Sequence, residues 1–292
     1  MQKHSDGVKR NLSYDNAGIS IFADVFPKED VDAFVTTFYH RLLVQAFKLR
    51  LVNAVEIDEN TPTPQAIDDL VTRINSTSKA ALDFIVQSLR ETPAANELMC
   101  NPEFLRISSE ALGCPASLLK IHMDGILINL PKNETRLYKF HSEEHYYPQR
   151  RNFYNFWMPV IRDKAENNGA MIVKLGGHKK PHQFVEYTGF NAKESNEVSE
   201  ADFFHQLQIP EDDIAEFEDY MCDLPANTAA FFHQNLPHTS TVNLSGDVTY
   251  TLIMRGYDYR YDPTLSDTTG VKTYTSAAAR GGYPNLRPMP RL

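Results

Sequence analysis

From about residue 117 the apolar residues of this 292-residue chain come in short β-branched and aromatic runs separated by turn residues. A chain written this way makes sheets of short strands. The runs are Leu118–Leu130, Arg136–Tyr146, Phe153–Ile161, Gly169–Leu175, Gln183–Tyr187, Thr228–His233 and Val248–Tyr259. Pro131-Lys132-Asn133-Glu134, Asn167-Asn168-Gly169 and Ser245-Gly246-Asp247 carry tight-turn residues and read as hairpin turns. So many successive antiparallel signals predict a barrel or a double-sheet jelly roll. Residues 188–225 interrupt it with an acidic insertion, read as helical from Ser199 to Tyr220.

The preceding third has the other periodicity. Pro27-Lys28-Glu29-Asp30 starts a helix, and apolar residues then recur at Val31, Phe34, Phe38, Leu42, Leu43 and Phe47. A second helix fits 64–91 through Ile67, Leu70, Val71, Ile74, Leu82, Ile85 and Leu89. Pro93 and Pro102 bracket a short piece, and Glu103 to Leu112 suggests another helix. The fold class expected is mainly β with a helical N-terminal third: a double-stranded β-helix (jelly roll, cupin-like) flanked by helices. One domain over 1–292 accommodates it, with 1–116 the helical flank and 117–260 the core. Residues 261–292 form a Pro/Gly/Ser/Thr-rich tail.

The charge balance narrows the partners. Lys and Arg number 29 against 38 Asp and Glu, a net charge of −9. An acidic surface has no general affinity for a phosphate backbone, so a nucleic-acid partner is not expected. The three cysteines, Cys100, Cys114 and Cys222, are sparse and unpatterned, which points to a reduced, cytoplasmic chain. No apolar segment marks a signal peptide, and no stretch nears the roughly 18 residues of a membrane span, so no membrane partner is expected.

Of ten histidines, most need no role beyond surface or core packing. His141-Ser142-Glu143 sits in a strand-like run, where residues i and i+2 share a face and can grip one ion. With His238, from Pro237-His238-Thr239-Ser240, two imidazoles and one carboxylate make the facial triad of non-haem Fe(II) oxygenases, with positions left open. A two-point chelating co-substrate and O2 both need those positions.

The wider context of these motifs is ordered. After His141-x-Glu143 come Phe156-Trp157-Met158-Pro159, Asn168-Gly169, and Leu175-Gly176-Gly177-His178-Lys179. His238-Thr239-Ser240-Thr241-Val242-Asn243 and Leu252-Ile253-Met254-Arg255 follow. Over residues 120–258 the chain resembles the phytanoyl-CoA dioxygenase-like branch of the Fe(II)/2-oxoglutarate oxygenases. The resemblance implies His141, Glu143 and His238 as both iron ligands and catalytic residues. It implies Fe(II) and 2-oxoglutarate as cofactors, O2 as co-substrate, and a small-molecule substrate that is hydroxylated, desaturated or cyclised while succinate and CO2 form. Glu143 stands where that branch usually has Asp, a change also found in clavaminate synthase-like oxygenases. Known halogenating relatives lack the carboxylate that Glu143 supplies here, which argues against halogenation.

A second departure concerns the co-substrate. The family places an arginine for the far carboxylate eleven residues after the second histidine, and here that residue is Thr249. Arg255 lies six residues further on. The two share strand parity but stand about 20 Å apart along an extended strand, so Arg255 reaches that site only through a register shift at Ser245-Gly246-Asp247. A desolvated dianion needs cationic or multiple donors. Thr249 and Arg255 are the co-substrate-binding candidates, with Lys139, Lys174, Arg150 and Arg151 as further cations. Three alternatives stay open: an iron oxygenase that does not use 2-oxoglutarate or uses a different 2-oxo acid, a non-catalytic metal-binding jelly-roll protein, and a cupin-like or zinc hydrolase use of the same ligands. Trp157, Phe156 and Tyr154 read as core, His178 as a loop anchor, and Asn243 as the residue that orders the turn after His238.

Overall fold

The computed structural model describes residues 12–55, 62–133, 139–145, 152–186 and 207–261. Its elements are α1 (Tyr14–Ala17), β1 (Ile19–Ala23), α2 (Lys28–Lys48), α3 (Pro64–Thr77), α4 (Lys79–Ser88), α5 (Pro93–Met99) and α6 (Pro102–Leu112). There follow β2 (Leu119–Asn129), β3 (Phe153–Val160), β4 (Met171–Lys174), β5 (Val185–Glu186), β6 (Leu207–Gln208) and α7 (Glu211–Ile214). The chain then forms β7 (Asp219–Cys222), β8 (Thr228–His233), β9 (His238–Ser240) and β10 (Thr249–Asp258).

The helices start where their caps stand. Thr63 accepts from the Ala66 amide with Pro64 behind it, Thr92 does the same for Ala95 before Pro93, and Asn101 accepts from the Glu103 and Phe104 amides. Each cap satisfies donors that the first turn leaves unpaired. Ser78 corrects the expected single helix over 64–91. Its amide closes α3 on the Ile74 carbonyl, and its hydroxyl opens α4 by accepting from Ala81. One residue therefore ends one helix and caps the next.

The strands form antiparallel sheets, five-stranded in the order β1-β8-β3-β10-β2 and three-stranded in the order β7-β4-β9, with β5 and β6 paired apart. Strand alternation gives the large sheet two working faces. On one, Tyr154, Phe156, Met158, Tyr250, Leu252 and Met254 pack against the helices, with Phe104 edge-on to Phe156 at 5.3 Å. On the other, Ile19, Trp157, Ala230 and Phe232 join Met171, Val173 and Cys222 of the small sheet. Every residue of β3 is buried because both its faces are covered.

A buried polar tie joins the helical flank to β10. Asp68 on α3 receives Arg162 at 3.0 and 2.9 Å, the Tyr250 hydroxyl at 2.6 Å and the Val248 amide at 3.3 Å. All three cysteines are free. Among the described residues no helix is long and apolar enough to cross a membrane.

Several expectations need correction. Among the described residues, none of the three turns joins neighbouring strands of one sheet. Ser245-Gly246-Asp247 leads from β9 in the small sheet to β10 in the large one, so chain neighbours face each other across the interior. Of the expected insertion, residues 188–206 lie outside the described residues. The rest is not the helix expected: α7 is one turn, and Asp219–Cys222, Tyr220 included, is a strand paired with β4. Acidic residues gave that segment its helical look, but the open edge of β4 decides its conformation. The tail from 262 lies outside the described residues.

Candidate metal centre

His141 and His238 face each other across an isolated antiparallel bridge, with N–H···O bonds of 3.0 and 2.9 Å in the two directions. Directly opposed residues carry their side chains on one side, and the two rings lie side by side with centroids 4.2 Å apart. Glu143 enters from the first residue of a 3-10 turn, Glu143–His145, its amide held by the Gln234 carbonyl at 2.9 Å. The expected strand Arg136–Tyr146 is therefore, over its described part 139–145, a bridge followed by a turn. Its ends, 136–138 and 146, lie outside the described residues. His141 and Glu143 still meet, but the turn brings them together rather than strand alternation.

Both imidazoles are oriented from behind. His141 Nδ1 lies 2.8 Å from the Lys139 carbonyl and His238 Nδ1 lies 2.9 Å from the Leu236 carbonyl. A carbonyl only accepts, so Nδ1 carries the proton and Nε2 is the basic nitrogen, the arrangement of a metal-ligating histidine. Each Nε2 is 3.9 Å from Glu143 Oε1, and the three potential ligand atoms lie within 4.8 Å of one another. His141, Glu143 and His238 are all less than a tenth exposed. Burial pushes His141 down to about 4 and pushes the Glu143 carboxyl up to about 7. Two neutral imidazoles and one carboxylate in a dry site fit a divalent transition metal with open positions.

Arg255 completes the group. On the inner face of β10 it donates from Nη2 to Glu143 Oε2 at 2.9 Å and from Nε to Asn155 Oδ1 at 3.0 Å, and its Nη1 pairs with Asp124. A β-bulge puts Asp124 there. The β10–β2 register shifts between Ile253 and Met254, with Gly125 at φ 111° beside the extra residue. Bulges re-aim side chains in this way, and glycine tolerates the left-handed backbone that the bulge imposes.

Thr249 is not Arg255's neighbour. The pairing of β10 with β3 runs without a shift from Tyr250 to Tyr257, so the five residues between them stay extended. Thr249 Oγ1 instead accepts from Lys164 Nζ at 2.7 Å and donates to the Asn168 carbonyl at 2.9 Å. Lys164 is fully buried, and burial pushes its amine down to about 7. Sequence reasoning missed it because Asp163-Lys164-Ala165-Glu166 looks like a solvated loop. The one available signal was its place just past a strand that is apolar but for Asn155.

The remaining candidates have settled places. Lys174 pairs with Asp219 at 2.9 Å, Lys139 is exposed, and Arg150 and Arg151 lie outside the described residues. His178 Nε2 meets the Asp15 carbonyl at 3.2 Å, and its ring lies 5.1 Å from that of His233, tying α1 to the loop after β4. Asn243 donates to the Asn129 and Asp247 carbonyls and accepts from the Ser245 amide, ordering the turn into β10.

Two facing antiparallel sheets carry a buried His-Glu-His group that could hold a metal ion. Residues 14–249 match the family model described as phytanoyl-CoA dioxygenase, and the chain belongs to that family. No curated protein matches the sequence. Among solved structures, the non-heme alpha ketoglutarate dependent epimerase SnoN from nogalamycin biosynthesis is similar at 13% identity and a TM-score of 0.50, over 84% of this chain and 80% of that one. The carbocyclase SnoK of the same biosynthesis aligns at 16% identity and a TM-score of 0.49, over 85% of each chain. EvdO2 from Micromonospora carbonacea var. aurantiaca, complexed with 2-oxoglutarate, aligns at 13% identity and a TM-score of 0.48, over 84% of this chain and 88% of that one. At such identities the likeness to SnoN speaks for the fold alone.

Proposed function

We propose that this chain is an Fe(II)- and 2-oxoglutarate-dependent oxygenase, a single domain on a double-stranded β-helix, that oxidises a small molecule. Succinate and CO2 are the co-products, O2 is the co-substrate, and hydroxylation is the default outcome. The observation that carries this reading is the triad itself: two buried imidazoles with Nδ1 committed to carbonyls and Nε2 turned to one carboxylate oxygen. Its support in kind is SnoN, described in complex with Fe3+, alpha ketoglutarate and nogalamycin RO.

His141 Nε2, His238 Nε2 and Glu143 Oε1 would hold the iron. Bound there, iron and the 2-oxo acid supply the oxidation chemistry. The chain's own part is positioning. Arg255 donates to Glu143 Oε2, so Oε1 is the oxygen that would be offered to the metal. Three protein ligands would leave room for a chelating co-substrate and O2. Trp157, Phe232 and Val173 pack between the sheets and exclude bulk water from that side.

The test is an anaerobic titration of metal-free protein with Fe(II), then 2-oxoglutarate, following the weak visible metal-to-ligand charge-transfer band. Saturation at one equivalent of each is expected. Iron binding with no band would overturn the 2-oxoglutarate assignment, and absence of iron binding would overturn the triad. Succinate release under O2 then serves to find the substrate.

A further inference from the structure

The part of the interior beside Thr249 holds a cation without an anion. Lysine is almost never fully buried unless paired, yet Lys164 is fully buried. Its amine meets only the Thr249 hydroxyl at 2.7 Å and the Asn168 carbonyl at 3.4 Å, and no carboxylate among the described residues. The other cations near the sheets are spoken for: Arg255 faces Glu143 and Asp124, Arg162 faces Asp68, and Lys174 faces Asp219.

Polar atoms with no partner gather round the same place. Thr251, two residues along the same face of β10 as Thr249, is fully buried, and its Oγ1 has no hydrogen-bond partner among the described residues. Neither has Asn129 Oδ1, nor Thr241 Oγ1. Gly169 keeps the space open: a Cβ there would stand 2.8 Å from Asn129 Nδ2 and 3.1 Å from Lys164 Nζ. The Thr241 amide bonds the Ala170 carbonyl next door, and three residues of extended chain, about 10 Å, separate Thr241 from the ligand His238. A cation and several unsatisfied polar groups, one short span from the metal group, describe the far end of a site for a chelating diacid.

We propose that Lys164, seated on Thr249, binds the far carboxylate of the 2-oxo acid co-substrate, with the Thr249 and Thr251 hydroxyls beside it. This rests on the oxygenase reading above. It fills the place left when Thr249 stands where an arginine would be. Lysine suits the site as a compact point charge that a neutral hydroxyl can aim, whereas a guanidinium brings its own fork of donors. Burial destabilises the lone ammonium, and an arriving carboxylate removes that penalty, so the amine and the anion stabilise each other.

The test compares two probes on Fe(II)-loaded anaerobic protein: 2-oxoglutarate, and 2-oxobutanoate, which chelates the same way but lacks the far carboxylate. Dissociation constants are read from the charge-transfer band. Wild type is expected to prefer 2-oxoglutarate. Lys164→Met should weaken 2-oxoglutarate by about 30-fold or more, as truncation of a buried charged pair does, and leave 2-oxobutanoate within about 3-fold. Thr249→Val, which leaves the lysine in place, should lower the preference less and serves if the lysine variant does not fold. An unchanged preference in either folded variant, including equal weakening of both probes, would overturn the assignment. A wild type that binds both acids equally would overturn it while leaving the oxygenase reading intact. A wild type that gives no band with either acid would overturn both.

Discussion

Arg255 Nη2 donates to Glu143 Oε2 at 2.9 Å, so the one carboxylate of the candidate triad is gripped by a cation on the side away from the two imidazoles. Burial alone pushes this carboxyl up to about 7; the guanidinium pulls against it and favours the charged, ligating form. Arg255→Leu should therefore weaken Fe(II) binding by about 10- to 100-fold, the range for lost outer-shell partners. Arg255→Lys should recover part of that loss. Metal titration of the refolded variants measures both, and full affinity in Arg255→Leu would show that the contact is incidental.

The triad makes a stronger demand. His141→Ala or His238→Ala should abolish iron binding and any succinate release, and Glu143→Ala should come close to it. Because the main-chain bridge between the two positions does not depend on the imidazoles, the circular dichroism of these variants should stay native. Retention of tight one-to-one iron binding in either histidine variant would sink the assignment.

Lys164 makes stability depend on pH with a definite sign. Its amine is pushed down to about 7 in the folded chain, against about 10.4 in an unfolded one. Between those values the unfolded state binds the extra proton, so stability of the metal-free protein rises with pH through this window, by at most about 1.4 kcal/mol per unit. Relative to Lys164→Met, wild type should gain melting temperature between pH 7 and 9. A parallel pair of melting curves across that range would contradict the burial of the ammonium.

Asp68 predicts a structural effect remote from the metal. It is almost fully buried and gathers Arg162, Tyr250 and the Val248 amide. Asp68→Ala removes the buried carboxylate of Arg162, leaving it the Val248 carbonyl and the more distant Asp247, and should cost about 3–5 kcal/mol, read as a lowered denaturant midpoint. The midpoint should barely move if the helical flank were only loosely attached to β10.

Much of this architecture was legible in local pattern. The short apolar run in Thr228–His233 marks β8 residue for residue, and the apolar spacing from Val31 to Leu42 marks the buried face of α2. His141, Glu143 and His238 were legible because their chemistry is carried by residue type and order. Lys164 was not, because a lysine in a charged loop looks solvated until the distant β10 comes down on it. Nor was the Asp124–Arg255 pair, which depends on a bulge that no local pattern announces. β9 was missed for a related reason: three residues are too few to show a period, and only their pairing with β4 makes them a strand.

The main-chain bridge between His141 and His238 has a consequence for how the protein is loaded. The fold itself brings the two imidazoles together, each exchanging amide bonds with the other's backbone, so a bound ion is not required as the clasp. A zinc finger falls apart when stripped; this chain should survive chelation as a folded, vacant receptacle. Its occupancy then follows the supply of metal around it, and a batch emptied by chelator should be refilled in a mixing step, with no need to refold.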